Sequence, residues 1–219
     1  MKGLFNIIAK VCKEKLGIQL IYIRRTTGLM GLTAVHSSKG FWYAGNVFGS
    51  SDIAHGIAAN GIVEKEDTEL VEKIMLFLLG KNMTPHFYDI GANIGYYGIF
   101  VTYLGKGKID CVSFEPLKEH ADCIRESAFL NRIESKMKIY EMGIGSREEM
   151  KKITIDGSGS SFTENFLPGK NYPTAMAKIV TLDEIIKRNS LPEPTFIKID
   201  IEGHECEALQ GAVRTIAQA

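Results

Sequence analysis

Asp89-Ile90-Gly91-Ala92-Asn93-Ile94-Gly95-Tyr96-Tyr97-Gly98 closes the short apolar run Phe87-Tyr88-Asp89-Ile90 and leads into an apolar stretch ending at Leu104. That order predicts a strand, a glycine turn and a helix over 94–104. Gly91 and Gly95 would let the backbone turn sharply and approach a ligand closely. The helix start would offer free N–H groups at the same place.

Towards the C-terminus the alternation repeats. Ile109 to Phe114 reads as a second strand, and Leu117 to Leu130 as a helix with Leu117, Ala121, Ile124 and Ala128 on one face. A third strand follows at 138–142 and an added strand at 152–155. Residues 157–178, with Gly, Ser and Pro, read as a long loop. Thr181-Leu182-Asp183-Glu184 is a capping box opening a helix to about residue 188. The fourth main strand spans 195–201. A last helix covers 205–217, with Leu209, Ala212, Val213 and Ile216 expected inward. Apolar strands alternating with helices predict a Rossmann-like α/β domain, its mostly parallel sheet covered by helices on both faces. Ligands bind at the carboxyl ends of the strands in such sheets.

Towards the N-terminus the pattern changes. Residues 66–79 read as a helix with Leu70, Ile74, Phe77 and Leu78 on one face and Gly80 at its end. Residues 18–63 hold recurrent glycines among Phe41, Trp42, Tyr43, Val47 and Phe48, which suggests β-hairpins. Trp42 and Tyr43 suit a core or interface, with stacking on a sugar ring as the alternative. Met1 to Leu16 reads as an amphipathic helix packed on the domain, with membrane-surface contact as the alternative. The chain thus divides into an extension, 1–80, and a ligand-binding domain, 81–219.

Two cofactors compete for the glycine turn. A dinucleotide fingerprint needs a glycine where this chain has Asn93, to make room for a pyrophosphate. S-adenosylmethionine (SAM) has no pyrophosphate, and the spacing Asp-x-Gly-x-x-x-Gly suits it better. Asp89 could help hold its cationic part. Glu115, in Val112-Ser113-Phe114-Glu115-Pro116, ends the second strand with a carboxylate able to accept both ribose hydroxyls of an adenosine. SAM and NAD sites both use such an acid, and a helix N-terminal acid is the plain alternative.

Phe196-Ile197-Lys198-Ile199-Asp200-Ile201-Glu202-Gly203-His204-Glu205 is the most charged strand end. Alternation puts Lys198, Asp200 and Glu202 on one side, where burial without partners would be costly. Facing a cleft, Asp200, Glu202 or His204 could serve as general base when a methyl group passes in line from a sulfonium to a hydroxyl. An ion pair with Lys198 that only orders the loop is the alternative. No metal is expected, because nothing joins Asp200 and Glu202 in a ligand cluster.

Composition narrows the classes. The 219 residues carry 26 basic and 26 acidic side chains, so nothing draws the chain as a whole to nucleic acid. Four scattered cysteines without a CxxC pair fit a reducing, cytoplasmic compartment. No apolar run is long enough to span a bilayer, and a homo-oligomer stays open.

Taken together, Asp89 to Gly95, Val112 to Pro116, Val180-Thr181-Leu182-Asp183 and Ile197 to Glu205, followed by Ala208-Leu209-Gln210-Gly211-Ala212, resemble the FkbM-type SAM-dependent methyltransferases over about 85–216. The resemblance implies a class I methyltransferase fold, SAM as cofactor, and O-methylation of a sugar, glycan or other small-molecule hydroxyl. It implies cofactor contacts at Asp89, Gly91, Asn93, Gly95 and Glu115, and Tyr96 and Asp200 are further candidates for cofactor contact. Gly143-Ile144-Gly145-Ser146 departs from the family's turn by a serine in place of an acid, leaving Gly143 and Ile144 a backbone or weak role near the adenine. Catalytic candidates are Asp200, Glu202, His204 and Lys198. Similar enzymes continue with further strands beyond the position of Ala219, so the expectation is a sheet lacking its C-terminal strands. A degenerate, inactive SAM-binding module is the alternative, and a nicotinamide-dependent enzyme is a weaker one.

Overall fold

The computed structural model describes residues 24–25, 33–45, 53–156, 159–162 and 172–218. The helix expected over 1–16 lies outside these residues, as does most of the β-rich 18–24. The N-terminal part starts with an antiparallel sheet of β1 (Arg24–Arg25), β2 (Thr33–His36) and β3 (Trp42–Gly45). Two helices follow, α1 (Ile53–Asn60) and α2 (Lys65–Gly80). Then come β4 (His86–Ile90), α3 (Tyr96–Leu104), β5 (Asp110–Phe114) and α4 (Lys118–Asn131). After a 3-10 turn at Glu134–Lys136 the chain forms β6 (Met137–Tyr140), β7 (Gly143–Ile144), β8 (Glu149–Thr154) and β9 (Thr174–Val180). It ends with α5 (Leu182–Asn189), β10 (Phe196–Ile199), α6 (Glu205–Gln210) and α7 (Val213–Ala217).

The central sheet is parallel throughout, in the order β10-β4-β5-β6. Successive side chains of a strand point to opposite faces, and here each face has its own core. Phe87 and Cys111 join a cluster with Ile99 and Phe100 of α3, Ile124 of α4 and Met75 of α2. Tyr88, Ile90, Val112 and Phe114 face the other way, against Leu182, Ile185 and Ile186 of α5 and Ala208 of α6. Helices on both faces are the Rossmann-like arrangement expected. Among the described residues β4 is the one sheet neighbour of β10.

The N-terminal sheet shares the first of these cores. Phe41, Tyr43, Ala54 and Ile57 pack in one cluster with Tyr96 and Phe100. The outer edge of β3 is met by α4: Trp42 N–H donates to Asn131 Oδ1 (2.8 Å), Asn131 Nδ2 donates to Trp42 O (2.6 Å), and Ala44 N–H donates to Ser127 Oγ (2.9 Å).

Four expectations change. The stretch read as hairpins holds a hairpin, β2–β3, but also the helix α1, whose Ala54 and Ile57 recur at helical spacing and are buried. The loop expected over 157–178 ends early, because Thr174 already pairs with Thr154 in an antiparallel β8–β9 ladder. In α2 the buried face carries Thr68, Val71 and Met75, while Leu70 and Phe77 are exposed. The helix expected over 205–217 divides at Gly211, where an added Cβ would lie 2.0 Å from the carbonyl oxygen of Gly145. Asp183 fixes the second piece by accepting from the N–H groups of Arg214 and Thr215, with Val213 and Ile216 facing outward, and Leu209 of the first piece is exposed as well. None of the described helices is long and apolar enough to cross a membrane.

Candidate functional site

A cavity of about 470 Å³ opens at the carboxyl ends of β4, β5 and β10, within the range of small-molecule sites. Ile53, His55, Asn60 and Glu64, from α1 and the corner before α2, form one wall; Ile153, Ser160 and Phe162 of the β8–β9 hairpin form another.

The tip of β4 is built from backbone. Gly91 takes φ +73°, and both Gly91 and Ala92 donate their N–H to Phe114 O at the tip of β5. A Cβ on Gly91 would lie 2.0 Å from Asp200 O, so glycine is required by the neighbouring strand tip as much as by any ligand. Gly95, at φ +83°, is required by α4, since its Cβ would meet Ile124 at 2.7 Å. Gly98 lets α3 come close enough for its N–H to reach Asp89 Oδ2 at 3.0 Å. Asp89 therefore lies under the cavity wall, fully buried. Burial pushes its carboxyl above the usual range, opposed by the charge of Lys198 and the Gly98 N–H. Asn93, at φ +51°, lines the cavity, and its Oδ1 accepts from Ile94 N–H.

The tip of β5 presents Glu115, 5% exposed, towards the cavity. Its Oε2 accepts from Asn93 N–H and its Oε1 from Leu117 N–H, both at 2.9 Å. A carboxylate has about four acceptor positions, so two remain for a pair of neighbouring hydroxyls. His120, one turn into α4, also lines the cavity, with Nδ1 3.4 Å from Glu115 Oε1.

The tip of β10 is ionic. Lys198 Nζ donates to Gly91 O (3.0 Å), lies 3.5 Å from both Asp89 Oδ1 and Asp200 Oδ2, and sits 5.7 Å from the centre of the Tyr97 ring. It ties the two tips together. Asp200 and Glu202 both line the cavity. Glu202 adopts φ +53°, and Ser161 Oγ donates to its carbonyl at 2.6 Å. Burial, then the charges of Asp200 and Glu205, raise the Glu202 carboxyl above its ordinary value. Glu205 fixes the bend: its Oε1 accepts from the N–H groups of Ile201 and Gly203.

The predicted residues Gly91, Asn93, Tyr96, Glu115, Gly143, Ile144, Lys198, Asp200 and Glu202 meet at this cavity. Asp89, Gly95 and His204 do not line it. His204 is buried behind the wall, its ring 5.7 Å from that of Phe162 and its Nδ1 3.5 Å from Glu207 Oε2. Tyr96 adds mostly packing, within an aromatic group with Phe41, Tyr43 and Phe100. Trp42 and Tyr43 lie away from the cavity. The sequence reading missed His120, Glu64 and Ser161. Only His120 had a local signal, as a titratable residue one turn into the helix that follows the Glu115 tip. Among the described residues no group of three or more His, Cys, Asp or Glu side chains could hold a metal ion.

The family model described as the methyltransferase FkbM domain matches residues 89–219. A hexuronic acid methyltransferase, AglP, of Haloferax volcanii is 25% identical over 134 residues, covering 59% of this chain and 50% of AglP. The chain thus spans about half the length of that curated relative. The crystal structure of the methyltransferase FkbM from Methylobacillus flagellatus is 23% identical, covers 62% of this chain and 30% of its own, and gives a TM-score of 0.44. Pyrococcus horikoshii TYW2 in complex with MeSAdo is 19% identical, covers 63% and 47% of the two chains, and gives 0.37.

Proposed function

Because the chain belongs to the FkbM methyltransferase domain family, we propose that it binds SAM in this cavity and methylates a hydroxyl oxygen of a sugar, glycan or other small molecule in the cytoplasm. One observation carries the reading. Glu115 is buried, oriented by two backbone N–H groups, and still has acceptor positions directed into a cavity at the strand tips. That is what a ribose diol requires. The side chain of Asn93, where a pyrophosphate site has glycine, speaks against a nicotinamide dinucleotide.

When bound, SAM supplies a methyl group on a sulfonium. The residues of the chain do the rest. Glu115 and Asn93 hold the nucleoside end, while Gly143 and Ile144 provide an apolar wall. Asp200 is exposed enough to meet the amino-acid end. Lys198 is a positioning residue, keeping the tips of β4 and β10 in register. Glu202 is the candidate general base: its raised carboxyl brings it nearer to neutrality, and it can take the acceptor's hydroxyl proton as the O–CH₃ bond forms and the S–CH₃ bond breaks, with S-adenosylhomocysteine as the leaving thioether. His204, behind the wall, supports the bend.

Calorimetry with S-adenosylhomocysteine tests the reading. Binding is expected, together with methyl transfer from labelled SAM into a glycan or sugar fraction. Binding of NADH in place of S-adenosylhomocysteine would sink it.

A further inference from the structure

We propose that Glu64, clamped by Tyr97, selects the methyl acceptor: it takes a hydroxyl of an uncharged, polyhydroxylated compound and turns away anionic ones such as uronates and sugar phosphates. The proposal rests on the methyl-transfer reading above and names the acceptor class of that site.

Glu64 precedes the stretch shared with the family, which begins at residue 89. The wall it belongs to is therefore outside the matched cofactor domain. Its backbone is left-handed, φ 42° and ψ 60°, at the start of α2. Helix starts prefer Ser, Thr, Asp or Asn in extended backbone, with the side chain capping the first turn. Glu64 makes no such cap. Its carboxylate instead receives the Tyr97 hydroxyl at 2.6 Å, on the cavity wall. Its carbonyl accepts the first bond of the helix, from Thr68 N–H, but a strained, non-glycine residue whose side chain does nothing for that helix points to a role in the site. Tyr97 is almost fully buried, and burial together with Glu64 holds its phenol well above the ordinary value, so it stays a neutral donor. The pair presents a fixed carboxylate with acceptor capacity left for a hydroxyl.

Charge decides what that hydroxyl belongs to. Glu64, Glu115, Asp200 and Glu202 line the cavity, and Lys198 is its one lysine or arginine among the described residues. The Lys198 ammonium is already engaged by Gly91 O, Asp89 and Asp200. His55 and His120 also face the cavity. An anionic acceptor would meet four carboxylates with no unengaged lysine or arginine among the described lining residues, and like-charge contact is an effective means of rejection.

Neutral methyl hexosides and the matching methyl hexuronides test this on the full chain. Transfer from labelled SAM is measured, with saturation-transfer NMR on the S-adenosylhomocysteine complex as a readout independent of turnover. The neutral glycosides are expected to be preferred by about tenfold or more, the scale of one lost charged contact. Glu64→Lys should bring the preference to unity or reverse it, with S-adenosylhomocysteine affinity unchanged. Tyr97→Phe, a milder change, should raise KM for the neutral glycoside more than it lowers kcat. Equal use of both classes by the wild type, failure of the neutral glycosides to bind the complex, or an unchanged preference in Glu64→Lys overturns the proposal. S-adenosylhomocysteine binding in those cases leaves the methyl-transfer reading standing; its absence from the wild type overturns both.

Discussion

The tips of β4 and β10 lie side by side in the sheet, and both turn into one cavity, by opposite means. The β4 tip is made of glycines, and its polar groups are engaged by the protein itself: Gly91 and Ala92 by Phe114, Asp89 by Gly98 and Lys198. The β10 tip carries Asp200 and Glu202 on the cavity, with the backbone carbonyl of Glu202 held by Ser161. The first tip is preorganised and has little left to react. The second pairs Asp200 with Lys198 and keeps the carboxylate of Glu202 available. On the proposed function, the difference would separate holding a ligand from acting on it, two tasks that ask for opposite treatment of polar groups.

Substitutions should fail in correspondingly different ways. The largest effect is expected at Gly91→Val. A branched side chain would meet Asp200 O, in backbone geometry that L residues rarely adopt, at a cost of about 3 kcal/mol or more. Chemical denaturation should show that loss, and calorimetry should show no S-adenosylhomocysteine binding. Glu202→Gln tests the other tip. It should lower methyl transfer by about a hundredfold or more, the usual contribution of a general base, while melting temperature and S-adenosylhomocysteine affinity stay near wild type. Were its rate unchanged, the acid–base role would fall and the contrast between the tips with it. With Glu202 as the proposed base, its raised carboxyl would set the acid limb of the wild-type rate profile. The rate should fall with decreasing pH through a value above 4.5, and Glu202→Gln should abolish that limb.

Glu115→Ala probes a third tip and combines both kinds of loss. It strips the N–H groups of Asn93 and Leu117 of their acceptor, which costs about 1–3 kcal/mol in stability and a similar amount in S-adenosylhomocysteine affinity. The smallest effect belongs to His204. Burial, then the charge of Lys151, depress its pKa below the ordinary 6.5, against the pull of Glu207. A depressed histidine pKa stabilises the fold above the unfolded value and loses that contribution as pH falls through the folded one. The melting temperature should therefore decline below about pH 6.5, and less steeply in His204→Gln.

What the sequence disclosed follows the same division. β4, β5 and β10 are short runs with a glycine or an acid at the end, and strand tips of that kind read directly as site-forming. β9 did not, because Thr174-Ala175-Met176-Ala177-Lys178-Ile179-Val180 places apolar residues on both sides and shows no period of two. Its outward Met176 is as apolar as its inward Ile179. In α2 apolar residues run almost all round the helix, and pattern alone chose Leu70 and Phe77 over Val71 and Met75. Glu64 sits in a run of charges that reads as a solvated surface. Only its backbone angle and its partner Tyr97, far along the chain, mark it out. Long-range partners of that kind leave no local trace.

The amide of Asn131 reads the main chain of Trp42 as a neighbouring strand would, with one donor and one acceptor in register. Ser127 continues the imitation two residues on. A helix thus ends a sheet by posing as its next member. Any foreign chain seeking to add itself there finds the seat taken. Asn131→Leu would reopen it, and the resulting species would be expected to reveal itself as higher-mass material in light scattering before any change in ligand affinity.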